Sequence, residues 1–134
     1  MPVYRRSEQL SANLRQLFDQ IAGDDGSAGE EISKSRLIIR LKTRDPEVEI
    51  VVNGRKNPVE VSYGTTRLRP DLDIDLSADA LHRILLAELS LKQALTSGQL
   101  RVRGQVFKSY ALEELFRRGQ ELYPGIWNQQ IDQA

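Results

Sequence analysis

The chain has 134 residues, 40% hydrophobic and 28% charged, with 19 Lys plus Arg against 19 Asp plus Glu, one His and no Cys. A chain of this length buries roughly two thirds of the surface it exposes when unfolded, enough for one domain over 1–134 whose core needs no staples. The lack of cysteine excludes disulfides, thiolate nucleophiles and zinc ribbons, and zero net charge argues against a general nucleic-acid binder, whose affinity comes from cations meeting phosphates.

Leu10, Leu14, Leu17, Phe18 and Ile21 recur at spacings of three and four, the stripe of a helix beginning near Ser7. The run Gly23-Asp24-Asp25-Gly26-Ser27-Ala28-Gly29 reads as the loop that stops it. From Lys34 the period changes to two. Leu37, Ile39 and Leu41 alternate with Arg36, Ile38, Arg40 and Lys42, a strand with one apolar face. Asp45-Pro46 marks a turn, and Val48, Ile50 and Val52 alternating with Glu47, Glu49 and Val51 make a second strand. An antiparallel pairing would set Arg40 or Lys42 against Glu47 or Glu49. Asn53-Gly54 signals a further hairpin, leading to an edge strand from Val59 to Tyr63 with Pro58 at its start.

After a polar connection, Asp71-Leu72-Asp73-Ile74-Asp75-Leu76 alternates strictly and predicts a fourth strand. Ser77 stands as N-cap to a helix carrying Leu81, Ile84, Leu85 and Leu89, and Leu91, Ala94 and Leu95 predict a short second helix before Ser97-Gly98. Leu100 and Val102 alternate with Arg101 and Arg103 in a fifth strand that stops at Gly104. Phe107, Ala111, Leu112, Leu115, Phe116 and Leu122 fit a closing helix that Tyr123-Pro124-Gly125 terminates, leaving 124–134 as a tail. The order αβββ, crossover, β, α(α), βα is an α+β arrangement, with helices on one sheet face because each strand has one consistently apolar side.

His82, the single histidine, lies one residue past Leu81 on that helix and reads as a surface or cavity-rim side chain, not a catalytic base. Asp71, Asp73 and Asp75 carry oxygens that suit calcium or magnesium, but their Leu and Ile spacers make them the polar face of a strand, set against Arg101 and Arg103. Arg67, Arg69, Arg101 and Arg103 form either a basic patch for an anionic head group or membrane surface or, more simply, ion pairs with those aspartates. Seven Leu or Ile lie between residues 81 and 95, more than one stripe needs. With Phe107, Tyr110, Leu115 and Phe116 they fit a core, a dimer interface or an apolar cavity.

The stretches from Asp71 to Leu85 and from Leu91 to Gly104 resemble the C-terminal half of the sterol carrier protein type 2 domain, whose members show A-x-x-x-G-[KQ]-[LI]-[KR]-[VI]-x-G after an acidic-start strand and a helix. Ala94, Gly98, Gln99, Leu100, Arg101, Val102 and Gly104 fall on that pattern in register, and the upstream order of elements extends the resemblance to about Ser7–Tyr123. It implies a five-stranded, mostly antiparallel sheet with helices on one face and an apolar tunnel between them, in a compact, single-domain, prokaryotic form. It also implies non-catalytic binding and transfer of a lipid, fatty acid, acyl chain or sterol, with neither cofactor nor metal.

The expected lining is Leu81, Ile84, Leu85, Leu95, Leu100, Val102, Phe107, Tyr110, Ala111 and Phe116. Expected partners are the lipid ligand, a membrane touched at most transiently, and a second copy or partner enzyme; nucleic acid is not among them. With no apolar run of ~20 residues and no secretory start, the cytoplasm is the expected location. The alternative is an interaction or dimerisation module with a filled core, in which Ile126-Trp127 or the surplus leucines dock; a small isomerase-like enzyme ranks last.

Overall fold

The computed structural model describes residues 7–23, 27–56, 59–104 and 110–133. Strands β1 (Ile38–Arg44), β2 (Val48–Asn53), β3 (Glu60–Tyr63), β4 (Leu72–Ser77) and β5 (Leu100–Gly104) form one sheet in the order β3-β2-β1-β4-β5. The β1–β2, β2–β3 and β4–β5 pairs are antiparallel, and β1–β4 is parallel. The sheet is thus mixed but mostly antiparallel, the parallel pair arising where the chain crosses from the β3 edge back past β2 and β1. Helices α1 (Ser7–Gly23), α2 (Ser27–Ser35), α3 (Ala78–Leu85), α4 (Leu91–Thr96) and α5 (Tyr110–Gln133) complete the α+β fold.

The core lies between the helical layer and one face of the sheet. Leu10, Leu14, Leu17, Phe18 and Ile21 of α1 are buried against Ile39 and Leu41 of β1, Ile50 and Val52 of β2, and Leu72, Ile74 and Leu76 of β4 in one cluster. The strict alternation of β4 appears directly as alternating burial. Ser77 caps α3, its hydroxyl accepting from Ala80 N at 3.0 Å. Ser90 and Gln93 form a capping box on α4, which satisfies backbone donors that a short helix otherwise leaves open.

Four expectations change. The glycine-rich run is not a loop throughout: α2 begins at Ser27, residues 24–26 lying outside the described set. Its signal is weak because Ile32 is the one large apolar residue it sends into the core. The closing helix does not stop at Tyr123-Pro124-Gly125 but runs through Pro124 to Gln133. An interior proline costs roughly 3 kcal/mol or more, and the buried Tyr123 and Ile126 on either side show what tertiary packing offsets it.

The hairpin signalled by Asn53-Gly54 forms, β2 pairing antiparallel with β3, but its connection is six residues long, Asn53 pairing with Glu60. Gly54 is needed for another reason. A Cβ there would sit 2.4 Å from the Ile32 carbonyl oxygen and 2.6 Å from that of Leu37. Finally, register places Lys42 opposite Glu49 but Arg40 opposite Val51, and Arg40 turns to β4 instead. Pro58 and Phe107 lie outside the described residues.

Candidate ligand site

Capping by Ser77 starts α3 so that Leu81 and Leu85, one turn apart, face inward over Leu41 of β1. α1 contributes Leu17, Phe18 and Ile21, and α5 contributes Leu115, Phe116 and Gly119. Between them is a cavity of about 10 Å³ lined by apolar atoms alone, near the ~10–15 Å³ that one water needs. Gly119 keeps it narrow: a Cβ at this position would meet Leu85 Cδ2 at 2.8 Å, so Leu85 lies directly on the α5 backbone. Ligand pockets typically measure roughly 300–1,000 Å³. Side chains must therefore move before a long apolar chain fits.

Of the residues expected to line a tunnel, Leu81, Leu85 and Phe116 border this cavity. Ile84, Leu100 and Ala111 are buried in the surrounding core, and Val102 packs half-buried against it. Leu95 is 47% exposed on α4 and does not border the cavity. Phe107 and the Tyr110 side chain lie outside the described residues. Leu17, Phe18, Ile21, Leu41, Leu115 and Gly119 were missed as lining. All but Gly119 sit on apolar stripes legible in sequence, but nothing local separates a stripe that packs from one that borders a void.

His82 is not at the surface; it is 7% exposed in the α3–α5 seam. Its Nδ1 and the Tyr123 hydroxyl oxygen lie 2.7 Å apart in a hydrogen bond, and its ring meets Tyr123 and Trp127 edge-on at 5.6 and 4.5 Å. Burial pushes its pKa down, with Glu88 and Asp79 pulling the other way. Gln120 Nε2 donates to the Ile84 carbonyl at 3.0 Å along the same seam. The seam that closes the cavity is therefore tied by polar contacts from one face of α5.

The sheet's other face is charged. Arg40 grips Asp73 with two hydrogen bonds of 3.0 and 2.5 Å, and that bond holds the Asp73 carboxyl below its ordinary pKa. Arg44 pairs with Asp75 at 3.1 Å and Arg55 with Asp71 at 3.1 Å. Register also sets Asp73 opposite Arg103 and Asp75 opposite Arg101, as expected. Among the described residues, no group of three or more His, Cys, Asp or Glu is placed to hold a metal ion, and no helix is long and apolar enough to cross a membrane.

A wider surface groove of about 300 Å³ runs along Glu8, Ser11, Glu47, Val48, Glu49, Tyr63 and Gly64. Its three carboxylates disfavour an apolar cargo. Tyr63 donates to Asp19 Oδ1 at 2.7 Å beneath the Arg15 guanidinium, 4.2 Å from its ring centre. Burial, then the Asp19 bond, raises the Tyr63 pKa, so the tyrosine remains a neutral donor.

Comparison with known proteins agrees with the fold. The sterol carrier protein domain 2 of Helicoverpa armigera is similar over 80% of this chain and 87% of its own, with 19% identity and a TM-score of 0.63. Sterol carrier protein 2 from Yarrowia lipolytica in its apo form matches 90% of this chain and 96% of its own, at 21% identity and a TM-score of 0.60. The inverting sec-alkylsulfatase Pisa1 from Pseudomonas sp. matches 87% of this chain over 18% of its own length, at 19% identity and a TM-score of 0.60. No curated protein matches in sequence. The family model described as the SCP-2 sterol transfer family matches residues 14–117, and the chain belongs to that family.

Proposed function

We infer that the chain holds a lipid, fatty acid or acyl chain between its helical layer and its sheet, and carries it through the cytoplasm without transforming it. The observation that supports this reading most is the wholly apolar lining contributed by α1, α3, α5 and β1. Binding by burial needs little else, since each CH₂ taken from water contributes about 0.8 kcal/mol. The group that moves in this reading is Leu85, whose Cδ2 lies against Gly119 at the edge of the void. Leu81, Ile84, Phe116, Leu100, Val102 and Ala111 are the surrounding wall in this reading.

A second reading, an interaction module with a filled interior, is favoured by the small void and by the exposed Leu95. One experiment separates them. A native mass spectrum of the purified chain reports retained cargo and oligomeric state together, alongside titration with a fluorescent fatty acid and with Leu85→Ala. Carriage predicts lipid mass on a monomer and stronger probe uptake by Leu85→Ala, at about 2–5 kcal/mol of stability. An empty dimer in which neither form takes up the probe overturns carriage in favour of the second reading.

A further inference from the structure

The apolar void and the buried histidine belong to one seam. α3 and α5 run antiparallel there, and their contacts form consecutive rungs: His82 meets Tyr123, the Ile84 carbonyl accepts from Gln120, and Leu85 lies against Gly119. Gly119, Gln120, Tyr123 and Trp127 recur at three and four residues, so one face of α5 supplies every rung. Leu85 and Gly119 border the void, and His82 with Tyr123 stands one turn farther along. At about 10 Å³ the void admits no long chain. Loading therefore parts packed elements, and parting α3 from α5 breaks the His82 rung.

That rung is sensitive to a proton. The His82 ring is buried, hydrogen-bonded to the Tyr123 hydroxyl and edge-on to Trp127. Burial, the larger influence, opposes charge on the ring, while Glu88 beyond the end of α3 and Asp79 within it favour charge. α5 presents uncharged side chains, Tyr123 and Trp127, and the inner faces of β1 and β4, which also pack on α3, present Leu41, Thr43, Ile74 and Leu76. A proton makes both ring nitrogens donors, so the Tyr123 oxygen must accept from Nδ1, and it places a charge in an apolar seam. Parting the helices exposes the ring to water, so the open seam holds the proton more firmly than the closed one.

We propose that the α3–α5 seam is a proton-operated latch on the apolar site: protonation of His82 frees it, so that the chain loads lipid in mildly acidic surroundings and expels it as they become neutral. The latch rests on the carriage reading of that site. A ligand that binds the open form and a proton that favours the same form assist each other, and the coupling is reciprocal. Acid should therefore tighten binding, and bound ligand should make His82 easier to protonate. The gain is at most about tenfold for each pH unit separating the proton affinities of the loaded and empty forms.

N-phenyl-1-naphthylamine, an apolar fluorophore that stays uncharged in this range, tests the latch on the full chain. Its affinity is expected to rise as pH falls through about 6.5, the ordinary histidine value. In His82→Gln, which retains a hydrogen-bonding partner for Tyr123, the affinity should no longer change with pH. As His82 is the single histidine, its ring protons can be followed by NMR without any substitution, and loading should move their titration upward. Far-UV circular dichroism should keep its helical signal across the range. A probe that binds with one affinity at every pH, the same pH dependence in His82→Gln, an unmoved histidine titration, or tightening that coincides with loss of helix would each overturn the latch and leave carriage standing. Absence of uptake at every pH would instead remove carriage itself, and the latch with it.

Discussion

Asp73 and Ile74 are neighbours on β4, yet Ile74 is fully buried beneath the helices while Asp73 is held half-exposed by Arg40 from the adjoining strand. The contrast extends along β4, whose residues alternate between buried and half-exposed. Inside, Leu72, Ile74 and Leu76 contribute through area removed from water, roughly 1.5–3 kcal/mol for each large side chain. Outside, charged pairs in solvent contribute about 0–1 kcal/mol each. The inner face therefore carries the stability, and the outer face is free to hold charge in an arrangement that stability does not dictate.

Tyr123→Ala should separate the faces most sharply. It removes a side chain that is 1% exposed and leaves His82 without its hydroxyl partner. A loss of about 3–5 kcal/mol in urea unfolding is expected, comparable to other large-to-small core changes. A loss below about 1 kcal/mol would mean that the distal half of α5 contributes little.

A smaller, pH-dependent effect comes from His82. Its folded-state pKa is depressed by burial, so as pH falls below the ordinary histidine value of about 6.5 the unfolded chain takes up the proton first. Stability should decline through that window and level off below the folded pKa. In His82→Phe the decline should disappear from melts recorded across the same range. If it persists unchanged, another group is responsible.

The smallest effect belongs to the outer face. Asp73 has a lowered pKa from its Arg40 bond, so its contribution is present above the ordinary aspartate value and is lost as pH falls through the folded pKa. Asp73→Asn should cost only about 0–1 kcal/mol, because both partners remain solvated. A much larger loss in thermal melts would show that the ladder helps hold the sheet together, contrary to the division drawn between the faces.

Legibility followed the same division. Alternation identified β1, β2, β4 and β5, and Ser77 was recognised as a cap, because strand period and capping are short-range properties. Gly98 and Gly104 mark the ends of α4 and of β5 in the sequence, and both adopt positive φ, 78° and 104°. α2 escaped notice because a nine-residue helix with one large apolar contact leaves almost no period to read. The lining was only partly legible: the stripes of α1, α3 and α5 were visible, but which of their residues border the void depends on how three helices meet.

By itself the sequence pointed to the family, through the motif from Ala94 to Gly104, and determined the succession of the strands along the chain and the one-sided placement of the helices, which follow from periodicity. Only the tertiary structure decided that α5 continues past Pro124, that His82 is buried in a seam and that Arg40 pairs with β4. It also decided that Leu85 closes a small apolar void on Gly119. These outcomes depend on contacts between residues tens of positions apart, such as His82 with Tyr123 or Arg40 with Asp73. No local pattern encodes such partners, because the same side chain serves equally well against several of them until the sheet order and helix crossings are set.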